Sequence, residues 1–408
     1  MLYSENYYAL ETDTVVPWLQ KTGLAQQLLG TQTDLRCEDL ADGNVNLVFR
    51  VSNSAGRSII VKQSLPWARK YPDFKLPLDR AVREHGILQS YVAHCPAFVP
   101  EVYHFDATMF VCIMQDLRPH VILRAGLQAQ QQYPLLAAHL GEFLAKSLFF
   151  SSDLALPSGE KKARVPEFIN PVLVKAQEDV CFTQPLQQHA HNHCHPDLAA
   201  TADALRRDDA LYAAVLRMKR LYMTSAEALL HGDLHTGSML VTGTDTRVFD
   251  PEFGFYGPMA YDLGCLIAHL YIGHVCQPVF AKVASAKAAS DKTAPGMDML
   301  QLTTEIWQIF SQQFAELART QAVAGEWQSE AYIAAYIQEL LQDSLAFAGV
   351  ELIRRTIGLA HAPEWDAMAE QPALVPATGQ CLQMAQRWLL PSQPWQSIET
   401  ALHARLDA

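Results

Sequence analysis

The sequence predicts an α+β fold in two lobes, a small amino-terminal one built on an antiparallel sheet and a larger, mainly helical carboxy-terminal one. Residues 45–51 and 58–63 alternate apolar with polar side chains and favour β-branched types, the pattern of half-buried strands. From Gln130 onward the apolar residues recur at helical spacing instead. With 408 residues, 50% of them hydrophobic, the chain can bury a large core and divide into two domains.

In chain order, residues 13–29 place Val16, Leu19, Leu24 and Leu28 at helical spacing, which predicts one helix. The two strands follow, joined through the turn residues Asn53 to Gly56 into a hairpin. A helix is expected over 78–92, and Met109 to Met114 is a short apolar run suited to a buried strand. The amino-terminal lobe is therefore drawn as residues 1–117 and the carboxy-terminal lobe as 118–408. Loops are expected at 156–166, across a histidine cluster near residue 190, and over the Ala, Ser and Lys stretch at 283–296. No internal repeat is visible.

Composition excludes several classes of function. A net charge of -12 leaves no basic footprint for a nucleic-acid backbone, so nucleic acid is not an expected partner. The first twenty residues carry Glu5, Glu11 and Asp13 where a secretory signal needs basic and then apolar residues. No apolar run approaches the roughly 20 residues that cross a bilayer, since 263–272 is short and contains His269. A cytoplasmic protein without a membrane partner is expected. The eight cysteines form no Cys-x-x-Cys pair, as fits reduced thiols. His189, His191, His193, Cys194 and His195 could bind metal, but their polar setting between helical segments favours a solvated loop.

The short apolar runs 228–230 and 248–249 bracket the most informative segment. His231-Gly232-Asp233-Leu234-His235-Thr236-Gly237-Ser238 is followed by Asp250-Pro251-Glu252, bringing three carboxylates towards one site. Phosphoryl transfer needs one carboxylate to orient the attacking hydroxyl and others to hold the magnesium that neutralises the phosphates. Either motif alone is more often a turn; their order and spacing favour the catalytic and metal-binding loops of a kinase. Upstream, Asp42-Gly43-Asn44-Val45-Asn46 could present amides and Asn44 to nucleotide phosphates. Lys62 ends an apolar strand, where a phosphate-pairing lysine would sit, with Glu84 the first candidate for its partner and Glu101 the second. Gln115-Asp116-Leu117 follows the apolar run, where a hinge would offer backbone groups to adenine.

These motifs, with Phe253-Gly254-Phe255-Tyr256-Gly257-Pro258 and Asp262-Leu263-Gly264, resemble the 5-methylthioribose kinase family, within the protein-kinase-like aminoglycoside and choline kinase superfamily. The resemblance covers most of both lobes. Arg354-Arg355 resembles the paired arginines of that family, of which at least one binds the sugar, and Arg354 is favoured; a bland alternative is that the pair complements a helix dipole. Guanidinium groups beside Asp233 would also repel cationic acceptors such as choline or an aminoglycoside. Pro66, Trp67, Tyr71 and Phe74 resemble a lid over the substrate, although Trp67 could equally anchor core packing.

The resemblance implies ATP as phosphoryl donor and Mg2+ as cofactor, with transfer to the C1 hydroxyl of 5-methylthioribose in methionine salvage. Asp233 is the implied base and contacts the sugar with Arg354 and Arg355. Asp250 and Glu252 are the implied metal ligands. Asn44, Lys62, Gln115, Asp116, Leu117, Asp250, Pro251 and Glu252 form the implied ATP site. Superfamily members usually carry Asn where this chain has Ser238, so metal binding is expected to lean on Glu252. A homodimer is also implied. The competing readings are a kinase for choline, homoserine or an antibiotic, and a non-catalytic nucleotide-binding regulator.

Overall fold

In the computed structural model of the chain, residues 6–31, 34–40, 45–69, 71–287 and 296–406 are described. The helix expected over 13–29 is two helices, α1 (Val15–Lys21) and α2 (Leu24–Leu29). Gly23 between them adopts φ 78°, which no continuous helix accommodates. Strands β1 (Arg36–Asp39), β2 (Leu47–Ser52) and β3 (Ser58–Gln63) follow, then a short hairpin of β4 (Trp67–Ala68) and β5 (Tyr71–Lys75), helix α3 (Arg80–His94), and strands β6 (Val102–Asp106) and β7 (Val111–Gln115).

An antiparallel sheet of order β1-β2-β3-β7-β6 results. The alternation in the sequence located β2 and β3, and the apolar run located β7. It did not locate β1 or β6, because neither strand has a fully buried residue and so neither carries a one-sided apolar pattern. Phe49, Val51, Ile59, Val61, Val111 and Ile113 form one core with Leu10, Val15, Trp18, Leu19, Leu24 and Leu29. Each such side chain contributes about 1.5–3 kcal/mol by burial. Since neighbouring residues of a strand face opposite ways, burying Val61 against α1 and α2 turns Lys62 towards the other face and α3.

The remainder of the chain is mainly helical. After β8 (Val121–Ile122) come α4 (Leu123–Gln128), α5 (Leu136–Phe150), α6 (Ser158–Arg164), α7 (Pro171–Gln177), α8 (Ala199–Arg206) and α9 (Asp209–Thr224). Four short strands follow: β9 (Ala228–Leu229), β10 (Met239–Val241), β11 (Thr246–Val248) and β12 (Tyr256–Gly257). Helices α10 (Met259–Lys287), α11 (Met299–Gln321), α12 (Glu330–Ile357), α13 (Pro363–Ala367), α14 (Leu374–Leu389) and α15 (Ile398–Leu402) complete it. One large core joins these helices and also takes in Ile87 and Tyr91 of α3, so the amino-terminal helix is anchored to the carboxy-terminal part.

Three expectations are corrected here. The loop placed at 156–166 contains α6, whose start at Ser158 follows a proline that fixes the entry of the chain. The first five residues of the loop placed at 283–296 belong to α10, and 288–295 lie outside the described residues. Helix α10 is also long and apolar enough to span a membrane by composition, which the sequence reading missed by taking only 263–272 as the apolar run. That length serves the interior: two thirds of its apolar stretch is buried, and it packs along α12. The histidine cluster is a loop, with all four histidines exposed. All eight cysteines are free thiols.

Candidate active site

Two strand pairs bring the acidic motifs together. Loop 230–238 runs from β9 to β10 and loop 249–255 from β11 to β12, while β10 pairs with β11 and β9 with β12. Both loops therefore begin and end side by side, and the Phe249 N–H donates to the Ser238 carbonyl at 3.1 Å. Gly232 adopts φ 82°, and a Cβ on it would sit 2.3 Å from the Phe253 carbonyl oxygen. Only glycine lets the two loops approach this closely.

The first loop is anchored from behind. The Asp262 carboxylate, in the first turn of α10, accepts from the His231 and Gly232 N–H groups at 2.6 and 2.9 Å. Burial pushes its pKa up to about 7 against these two bonds. Burial also drives the His231 ring down to about 4 and keeps it neutral. Its Nε2 lies 2.9 Å from the Phe249 carbonyl and donates to it, which leaves Nδ1 to accept from the Asp233 N–H at 3.3 Å. The Ser238 hydroxyl donates to the Asp233 carbonyl at 2.8 Å, so it braces the loop from within.

Asp233 thus projects from a fixed backbone. Its carboxylate lies 3.4 Å from Arg355 Nη2 and 3.5 Å from His235 Nε2. Burial opposes its charge, but His235, Arg355 and Arg354 outweigh that and hold the carboxyl well below the usual carboxylate range. Asp250 lies close enough for the two carboxylates to repel, and both act on the His231 ring, favouring the charge that burial opposes. Asp250 has φ 67°, a left-handed conformation unusual for a non-glycine residue, and its side chain is 40% exposed.

Lys62 bridges the two parts of the molecule. Its Nζ contacts the Asp250 carboxylate and lies 2.6 Å from Glu84 Oε1 on α3, which makes Glu84 its partner; Glu101 instead pairs through its backbone with Gln115. Burial opposes the lysine charge, but Asp250, Glu84 and Glu252 keep it firmly protonated. Carboxylate oxygens of Glu84, Asp250 and Glu252 lie within 4.8 Å of one another. These are hard oxygen donors, which suit Mg2+. Glu252 is nearly buried, and its Oε2 accepts from Asn46 Nδ2 at 2.9 Å and Arg80 Nε at 3.2 Å. Arg80, fully buried, also bonds the Asn46 side chain and the Leu65 and Pro77 carbonyls.

The expected hinge leaves β7 as a braced turn. The Asp116 carboxylate accepts from Arg50, Ser58 and Arg118, and the Leu117 carbonyl accepts from the His120 N–H. Pro251 is buried, its carbonyl accepting from Gly254. Asn44 lies outside the described residues. Trp67 is 36% exposed with Lys75 Nζ 5.8 Å from its ring, so it is not a core anchor. Its hairpin is tied to β1 by a two-bond pair between Arg69 and Asp39.

The arginine pair ends α12. Arg354 Nη1 lies 2.9 Å from both Glu351 oxygens, and Arg354 Nε is buried with no partner among the described residues. Arg355 Nε donates to Glu351 at 2.6 Å, and its Nη2 turns to Asp233. Of the two, Arg355 rather than the favoured Arg354 is the one the structure sets against Asp233. His269 of α10 lies 3.3 Å from the same glutamate. Sequence reasoning assigned no role to Asn46, Arg80, His235, His269 or Glu351. The spacing of Glu351 with Arg354 and Arg355, three and four residues apart on a helix, was the available signal.

The model of the phosphotransferase enzyme family matches residues 36–298. The chain is 36% identical to the methylthioribose kinase of Geobacillus thermodenitrificans (strain NG80-2) over 360 residues, 88% of this chain and 87% of that protein. It is 36% identical to the methylthioribose kinase of Pectobacterium atrosepticum over 402 residues, 98% of each. The chain belongs to the methylthioribose kinase family of phosphotransferases. Within it, Lys62, Glu84, Asp233, Asp250 and Glu252 fall in the segment common to phosphotransferases, while Glu351, Arg354 and Arg355 lie beyond residue 298, in the part matched by the methylthioribose kinases.

Proposed function

We propose that this protein transfers the γ-phosphoryl group of ATP to the C1 hydroxyl of 5-methylthioribose, giving 5-methylthioribose 1-phosphate for methionine salvage. What supports this reading is the nearness of an ionised Asp233, flanked by Arg355 and His235, to Asp250, which with Glu84 and Glu252 gathers around Lys62.

Asp233 accepts a hydrogen bond from the C1 hydroxyl and takes its proton as the oxygen bonds to phosphorus and the bond to the ADP leaving oxygen breaks. A carboxylate held so acidic is a weak base, so its larger part is orienting the hydroxyl, which suits a transfer governed by positioning and charge. Mg2+, held by Asp250 and Glu252, supplies neutralisation of the phosphate charge when bound. Ser238 is committed to the Asp233 carbonyl, in keeping with a metal set that leans on Glu252. Lys62 and Asn44 meet the phosphates, and the backbone of Gln115, Asp116 and Leu117, at a lobe boundary placed after residue 117, meets the adenine edge.

Arg355 and Arg354 donate to the sugar hydroxyls, and their charge disfavours cationic acceptors. The exposed Trp67 hairpin serves as a lid. The protein acts in the cytoplasm as a homodimer. The test is a coupled ADP-release assay with Mg2+ and, in turn, 5-methylthioribose, ribose, choline, homoserine and an aminoglycoside. Turnover with the thiosugar is expected, together with its loss and retained ATP binding in Asp233→Ala. Faster turnover with choline, or normal turnover in Asp233→Ala, would overturn the assignment.

A further inference from the structure

Apart from the residues around Asp233, a cleft of about 610 Å³ opens where the segment after α5, the start of α10 and the turn between α11 and α12 meet. Its volume suits a small organic ligand. Trp327, Tyr332 and Tyr336 line it. Trp327 and Tyr332 have ring centroids 5.3 Å apart, and Tyr332 stacks on Tyr336 at 5.9 Å with 9° between planes. Tyr332 remains 37% exposed, so the array keeps an open aromatic surface.

The lining is also one-signed. Asp153, Glu227 and Glu326 contribute, and no Lys or Arg does. The cation facing one of these acids from outside the lining is Lys161, 2.5 Å from Asp153, so Asp153 is largely balanced. Glu227 is bonded to the Ser225 hydroxyl and the Met259 N–H but has no cation among the described residues, and Glu326 has no ion-pair partner among them either. Beyond burial, the carboxylates of Glu227, Glu339 and Asp153 help to raise the Tyr336 hydroxyl. Apolar rings beside unbalanced carboxylates are the chemistry that recognises an ammonium on an apolar body.

We propose that this cleft is a binding site for a small organic cation, its ammonium group set against Trp327, Tyr332 and Tyr336 and its charge matched by Glu227 and Glu326. The site is separate from the acceptor cleft, yet it reaches α10. Met259 lies in its wall, and Asp262, three residues on, anchors the catalytic loop.

The test is calorimetric titration of the full chain with phenyltrimethylammonium, which carries no hydroxyl to phosphorylate. Saturable binding is expected, unchanged in Asp233→Asn and at least several-fold tighter than that of neutral benzyl alcohol. Tyr332→Ala and Glu326→Gln, both at exposed positions, should each weaken it by roughly 2- to 30-fold. No saturable binding up to about 20 mM, where even a free energy of a few kcal/mol would register, overturns the proposal. So does equal binding of benzyl alcohol, unaltered affinity in the Tyr332→Ala, Glu326→Gln double variant, or binding lost in Asp233→Asn. The last result would place the cation in the acceptor cleft and leave the assignment of the catalytic loop standing.

Discussion

Replacing Gly232 with alanine should separate the geometry of the catalytic loop from the stability of the fold. The new Cβ would lie 2.3 Å from the Phe253 carbonyl oxygen and 2.9 Å from the Gly254 nitrogen, both backbone atoms that cannot swing aside. Contacts below 3.0 Å are essentially never seen, so the loops must part by at least 0.7 Å (3.0 minus 2.3). The left-handed φ adds about 1–2 kcal/mol for a residue with a Cβ. A displacement approaching 1 Å between Asp233 and the Asp250 loop should lower kcat by about 100-fold. Gly56 is the matching control: it has the same φ of 82° in the β2–β3 turn, and nothing lies within 4 Å of its Cβ. Gly56→Ala should therefore lose only the stability that the shared φ accounts for, about 1–2 kcal/mol in unfolding, and keep its kcat. Steady-state kinetics and thermal denaturation of both variants decide the matter. Normal turnover in Gly232→Ala, or an equal loss in Gly56→Ala, would refute the claim that loop-to-loop distance controls the reaction.

Arg355→Ala should reduce kcat/KM for the sugar by about 10- to 100-fold, the worth of a hydrogen bond to a charged group, with ATP affinity unchanged. Arg354→Ala should cost less, because that side chain faces Glu351; a variant defective only towards ATP would contradict this placement. His231 gives a pH dependence. Burial lowers its folded pKa to about 4, so between 6.5 and 4 the unfolded chain takes up a proton that the folded one refuses. The stability advantage of the wild type over His231→Asn is thus complete above pH 6.5 and shrinks as pH falls, by roughly 3 kcal/mol in all (6.5 minus 4, at about 1.4 kcal/mol per unit). Denaturant titrations of both proteins from pH 4 to 8 check this; a constant difference would show that the ring is not held neutral. Arg80→Ala should strip the buried Glu252 of its ion-pair partner and cost about 3–5 kcal/mol of unfolding free energy, with part of the loss recovered in the Arg80→Ala, Glu252→Gln double variant.

Asp233, Asp250, Glu252 and Lys62 were legible because each stands in a short motif whose neighbours are constrained by the same turn or strand. The side chains that hold them were not, since Arg80 and Glu252 are 172 residues apart and Arg355 and Asp233 are 122 apart. No local period encodes such contacts. Yet α3 did carry a readable trace. Its buried positions include Arg80, Glu84, Ile87, Leu88 and Tyr91, so two charged residues stand in phase with the apolar stripe. Arg and Glu are almost never fully buried unless paired, so their presence on that stripe already required partners of opposite sign within the fold. The structure supplies them as Glu252 for Arg80 and Lys62 for Glu84. Glu351 amid the apolar run of α12 obeys the same rule, with Arg354 and Arg355 as its partners, while His269 of α10, held neutral by burial, meets the same glutamate. A charge in phase with a buried stripe therefore marks the inner wall of a site even where its partner lies more than a hundred residues away.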